Sequence, residues 1–326
     1  MAEITARAAE VTTAVTAAGA ARAGPAGPGR ARRARRRLAP LAWLGPAIAL
    51  IAVVVLWPIV TLAQTSMQDI TPIGVTIGSA GANNFRQLLD DPNLPGILVR
   101  TLVWVAAVVG LTMLASLGLA QLFNQRFPGR RVARWALIAP WAASVMMTAL
   151  IFRWMLQPDN GVINVFLHQL GIVRQFDSNT SSWLGRPDSA MAWMIGVAVF
   201  VSLPFTSYTL LAGLQAIPGE LFEAARMDGA SRWRAYRSIT LPLLRPAFAV
   251  AMVINLMNVF NSFPIIWEMT RGGPGYETNT TTVFMYNLKQ SYLGEAAAMS
   301  VINFGLIIII VLAYLRVSRA ARTEAG

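Results

Sequence analysis

A helix needs about 20 consecutive apolar residues to cross the hydrocarbon core of a bilayer, and this chain supplies six stretches of that kind. Residues 38–68, 101–125, 189–215, 246–267 and 296–315 carry no charge, and 135–157 holds only Arg153, near its end. With 55% hydrophobic against 13% charged residues, the composition lies far from that of soluble domains. The expected architecture is an all-α polytopic membrane protein with six transmembrane helices at about 43–66, 99–123, 135–157, 189–215, 246–268 and 296–316. Prolines 46, 58, 140, 204 and 264 fall inside or at the edges of these spans. Membrane helices tolerate proline because neighbours satisfy the freed backbone groups, so kinks are expected there.

Arginine placement gives an orientation. With the N-terminus in the cytoplasm, the inner segments 1–37, 124–134, 216–245 and 316–326 hold 20 of the 27 basic residues and a net charge of +14, leaving −2 outside. That agrees with the positive-inside rule loop by loop, and places both termini in the cytoplasm. The overall charge of +12 raises nucleic acid as a partner, but these arginines flank apolar spans and form no continuous stripe; membrane lipid is the expected neighbour instead. Residues 1–37, rich in Ala, Thr, Gly and Pro and ending in RARRARRRL, read as a disordered basic cytoplasmic tail, with the transmembrane domain over 38–326. The basic run serves as a topology signal; a grip on anionic lipid is the alternative. The apolar run behind it exceeds the h-region of a cleavable signal peptide, about 7 to 15 residues.

Catalytic equipment is missing. The chain has no cysteine and one histidine, His168, which excludes thiolate chemistry and a histidine metal cluster. Its one lysine, Lys289, follows no glycine-rich loop, so the chain has no Walker A site and no ATP or Mg is expected on it. Arg153 and Glu268 lie near helix ends, leaving no mid-membrane acid for a proton-coupled or sodium-coupled carrier, and no clear internal repeat supports a secondary carrier. The residues GGPG at 272–275 read as an extracellular turn, and His168 as a surface residue on the amphipathic run VINVFLHQL. A membrane enzyme would need clustered acids, histidines or cysteines, which the composition denies.

One polar interruption remains: EAARMDGASRWRAYRSITLP at 223–242. Pro218 and Gly219 end the preceding helix, Glu220 and Glu223 suit the positive end of a new one, and Gly229 caps it. Ser231 caps a second helix, on which Trp233 and Tyr236 share a face. Ala224 and Ala225 give a surface without bulk, fit for close approach by another backbone. An amphipathic helix lying on lipid is the alternative, but such helices carry bulky apolar faces.

The spacing of Glu223, Ala224, Ala225, Gly229, Ile239, Leu241 and Pro242 resembles the EAA signature of permease subunits of binding-protein-dependent ABC importers. The fragments LLAGLQAIPGELFEAARMDGA, LPLLRPA, TRGGP, NNFRQLL and GVIN are similar to the maltose-permease type among carbohydrate importers, over most of residues 40–315. The resemblance implies the type I importer permease fold in a bacterial cytoplasmic membrane, with a cytoplasmic coupling helix between the fourth and fifth spans. It implies that Glu223, Ala224, Ala225, Asp228, Gly229 and Ala230 dock on a cytoplasmic ATPase dimer, which binds the ATP and Mg. It further implies a second EAA permease and an external sugar-binding protein.

In that family the sugar lies midway through the membrane against the helices on either side of the EAA loop. Here those are AVFVSLPFTSY (198–208) and VINLMNVFNSF (253–263). Asn255, Asn258 and Ser262 fall at helical spacing, with Asn261 at the edge of that face; their amides and hydroxyl suit sugar hydroxyls. Ser202, Phe205 and Tyr208 complete the expected pathway, the aromatics stacking on a sugar face. Helix-to-helix bonding is the alternative role for the asparagines, at about 0.6 kcal/mol each. A di- or oligosaccharide is the expected cargo and glycerol 3-phosphate or a polyol phosphate the alternative. The chain departs from the enterobacterial maltose permease in having fewer spans and no large extracellular insertion.

Overall fold

The computed structural model describes residues 44–172 and 182–323; the expected tail at 1–37 lies outside them. Internal contacts divide the chain between Thr61 and Leu62. Helix α1, Leu44–Thr65, crosses that division, and its most apolar window has no buried residue. It holds a π-helical turn at Ala52–Leu56, closed by the Trp57 N–H donating to the Ala52 carbonyl. Pro58 explains the turn: proline lacks an N–H and crowds the carbonyl four residues back, and one extra residue in the turn relieves both. A second π turn, Tyr236–Thr240, stands in the same relation to Pro242.

Strands β1 (Gln68–Ile70) and β2 (Thr76–Ser79) form an antiparallel hairpin, followed by α2 (Asn83–Asp90). Buried Asn84 donates through Nδ2 to the carbonyls of Ser66 (2.9 Å) and Gln68 (3.0 Å), fixing the hairpin to α2. Then come α3 (Leu94–Asn124), α4 (Arg130–Ala142), α5 (Val145–Met155), α6 (Val162–Gln169) and α7 (Pro187–Gln215). After α7 follow α8 (Gly219–Met227), α9 (Arg232–Ala235), α10 (Leu241–Phe260), α11 (Phe263–Thr270), α12 (Thr281–Leu288) and α13 (Leu293–Thr323).

The third and fifth expected spans are not single helices. Residues 135–157 are divided between α4 and α5 by Ala143 and Ser144, both extended (ψ 147° and 137°); serine favours such a helix start over a helix interior. The span expected at 246–268 breaks after Phe260, where Asn261 and Ser262 leave helical geometry and Pro264 opens α11. Proline suits a first turn, whose N–H groups lack helical partners anyway. Pro204, by contrast, lies buried inside an unbroken α7. Five helical segments among the described residues are long and apolar enough to span a membrane, one of them the stretch Arg232–Thr270 from α9 through α11, and α5 is a shorter apolar helix.

Helices α3 and α7 form the centre, their apolar windows 39% and 44% buried against 28% for the spans at Arg232–Thr270 and Leu293–Arg316. Trp104, Val108, Met194, Val197, Leu210 and Leu244 meet there. The Trp104 indole N–H donates 3.0 Å to the Val259 carbonyl, a group that the break after α10 leaves without its usual helical donor. At Gly213 a Cβ would lie 2.5 Å from that of Ala247, so α7 and α10 touch where small residues let their backbones approach.

Candidate functional site

Helix α8 carries the EAA residues, and none of its side chains is buried. It ends in a Schellman cap: Ala230 N–H donates to the Ala225 carbonyl (2.9 Å) and Gly229 N–H to that of Arg226 (3.0 Å). Gly229 sits at φ 73°, a backbone region open to glycine without steric cost. Ser231 then caps α9, its Oγ accepting from Arg234 N–H, and the rings of Trp233 and Tyr236 pack 5.8 Å apart. The Gly229 cap and the helix start at Ser231 match the sequence reading, and α9 then runs through the π turn at Tyr236–Thr240 into α10 without a break.

Neighbours 224 and 225 point in different directions, since successive residues on a helix are about 100° apart. Half-buried Ala225 and Ala230 line a recess of about 590 Å³ together with Phe222, Arg226, Gln121 of α3 and Gln125 just past the end of α3. Glu223, Ala224, Asp228 and Gly229 stay exposed, beside Met227 at 88% and Leu221 at 41% exposure. With Glu220 also exposed, α8 and its cap thus offer three carboxylates, little bulk and two exposed apolar side chains. No cation pairs with Glu223 among the described residues.

The expected pathway residues fall into three groups. Asn255 is 3% exposed and donates through Nδ2 to Thr206 Oγ1 and to the Ala251 carbonyl, both at 2.8 Å; it joins α10 to α7. Asn258 and Asn261 are exposed, the second returning its amide to the Met257 carbonyl, and Ser262 is half-buried between α10 and α11. The asparagines that share an exposed face are therefore 258 and 261, not 255 and 258. Ser202 and Phe205 are half-buried on α7, their carbonyls accepting from Thr206 and Thr209. Tyr208 turns elsewhere, its hydroxyl donating to the Arg134 carbonyl of α4 at 3.2 Å. Sequence reading missed Thr206; a threonine on the helix facing Asn255 was the available signal.

Comparison with known proteins decides the class. Residues 112–322 match the family model described as the binding-protein-dependent transport system inner membrane component. The chain belongs to this family. A probable ABC transporter permease protein of Brucella suis is 39% identical over 84% of this chain and 94% of its own length. The sulfoquinovosyl glycerol transport system permease protein of Agrobacterium fabrum is 32% identical over 85% of this chain and 89% of its own. Among solved structures, a chain of a bacterial ABC transporter involved in the import of the acidic polysaccharide alginate superposes with TM-score 0.74, at 25% identity, covering 89% of this chain and 99% of that one. The permease is thus a membrane transport component of the sugar ABC importer class, and ATP hydrolysis belongs to a separate subunit of such systems.

Proposed function

We propose that this permease forms half of the translocation pathway of an ATP-driven importer for a neutral di- or oligosaccharide in a bacterial cytoplasmic membrane. The observation that carries the reading is α8, a capped helix turned out of an apolar bundle with Glu223, Ala224 and Gly229 exposed. It seats in a cleft of a cytoplasmic ATPase, where Glu223 accepts a charge-assisted hydrogen bond. Two ATPase subunits bind the ATP and Mg, and their closure moves α8 and its counterpart on a second permease. That displacement shifts the bundle between outward-open and inward-open states, each favoured by a different nucleotide state. Reading α4 and α5 together as one crossing gives six spans with α8 on the side of both termini.

A glycoside cargo is in keeping with the relative named for sulfoquinovosyl glycerol and the structure named for alginate. An uncharged sugar is favoured because Asn258, Asn261 and Ser262 bring amides and a hydroxyl. The one arginine in the expected third span, Arg153, already donates to the Glu268 carbonyl at 3.1 Å, which weakens the case for a phosphorylated polyol. The test is reconstitution with the partner permease, ATPase and external binding protein: ATP hydrolysis is expected to rise when that protein carries sugar, and to stay basal when it is empty. Stimulation by glycerol 3-phosphate alone replaces the sugar with the polyol phosphate.

Orientation has its own check. The chain lacks cysteine, so Ser231→Cys and Ser291→Cys, both at exposed positions, report without background. An impermeant maleimide applied to intact cells is expected to label position 291 and to spare 231 until the membrane is opened. The reverse pattern inverts the topology.

A further inference from the structure

The start of α4 holds a second recess that the transport reading does not use. It measures about 370 Å³ and is lined by Arg130, Arg131, Arg134, Trp135, Ile138 and Tyr208, with no carboxylate among them. Arg130 spends Nη1 on the Gln125 carbonyl (3.1 Å) and Arg134 spends Nη2 on that of Phe123 (2.8 Å). Each guanidinium keeps further N–H donors. The Nε of Arg134 is buried without a partner, and Arg131 makes no hydrogen bond or ion pair among the described residues. Three cations gathered in one recess with no carboxylate in its walls repel one another, and a bound anion relieves that repulsion.

Its surroundings say what carries that anion. Beside the recess Val132 and Trp135 are 72% and 67% exposed, an apolar pair next to arginines at the end of a membrane segment, as at a bilayer interface. Tyr208 lies seven residues before the end of α7 at Gln215, about 10 Å by helical rise, which sets the recess toward the same end of the apolar span as α8. Gly129, at φ 82°, turns the chain into α4, so the first backbone N–H groups of that helix face the same end. Guanidinium groups bind phosphate oxygens in pairs.

We propose that this recess is a binding site for the phosphate of an anionic phospholipid in the cytoplasmic leaflet, held by Arg131 and Arg134 with Trp135 at the acyl boundary. The leaflet rests on the orientation proposed above, which cysteine labelling tests separately; lipid retention reads the recess whichever leaflet it faces.

Native mass spectrometry of the full chain tests the site, after exchange into detergent containing equal amounts of phosphatidylglycerol and phosphatidylcholine. The wild type is expected to keep phosphatidylglycerol in preference. Arg131→Gln, at an exposed side chain with no partner to lose, is expected to lower that preference about tenfold, as for one charge-assisted hydrogen bond. Arg134→Gln removes it further and Arg134→Lys restores part. Arg316→Gln, an exposed arginine at the same expected membrane face, is expected to change nothing; an equal loss there reduces the effect to general surface charge and overturns the site. Displacement of the lipid by millimolar inorganic phosphate assigns the recess to a soluble anion and overturns the lipid. Equal retention of both lipids by wild type overturns it too, leaving the arginines to a carboxylate on a partner subunit.

Discussion

Gly229→Leu is expected to leave the permease in the membrane while breaking the link between sugar arrival and ATP hydrolysis. The residue holds φ 73° with no atom within 4 Å of where a Cβ would stand. Leucine meets no internal clash, but it pays about 1 to 2 kcal/mol for left-handed backbone and projects its branch outward from the cap. A helix free in water or lying on lipid absorbs that bulk; one seated in a fitted cleft does not. Glu223→Arg probes the same surface by charge, since it leaves the Schellman bonds of Ala230 and Gly229 untouched and sets like charge against the proposed basic partner. In the reconstituted transporter both variants are expected to insert and assemble less tightly, with binding-protein stimulation of ATPase activity and sugar uptake lost together. Full stimulation in both variants would sink the coupling assignment. Loss in Gly229→Leu alone would confine the contact to the cap and free Glu223 of its role.

The parts of this molecule that the sequence revealed are those decided locally. Length and lack of charge define α3, α7 and α13 because lipid leaves a backbone no other partner than itself. The α8 cap was legible because Gly229 and Ser231 each meet a backbone requirement set by their immediate neighbours. Helix continuity was not local in this sense. Prolines 140 and 264 marked these spans for kinks, but the breaks fall two or three residues away, at 143–144 and 261–262, where the charge-free run itself gives no sign of a stop. The hairpin at 68–79 was also missed, because its tie is a tertiary one, Asn84 reaching back to Ser66 and Gln68. Facing direction was hardest: a charge-free span is apolar on all sides, so periodicity cannot tell which asparagine meets another helix and which meets the pathway.

That distinction is measurable at Asn255 and Asn258. Leucine at 255 keeps a similar volume but takes the amide from Thr206 and Ala251. Interhelical hydrogen bonds in membranes average about 0.6 kcal/mol and reach about 1.7, so the variant is expected to melt at lower temperature in detergent, with uptake per folded complex little changed. Leucine at exposed Asn258 breaks no hydrogen bond within the described residues, and its melting temperature should match the wild type. If that amide binds a sugar hydroxyl on the way through, losing it removes about 1 kcal/mol or more of substrate interaction, and the half-saturation for uptake or the maximal rate shifts several-fold. The two asparagines should therefore separate in opposite columns, one in stability and one in transport. A normal melting point with impaired uptake in Asn255→Leu would place that residue back on the pathway, reached in a conformation where α7 and α10 have parted. Unchanged uptake in Asn258→Leu would turn the exposed face of α10 toward lipid or the second permease, and the sugar would have to pass along Ser202 and Phe205 of α7 instead.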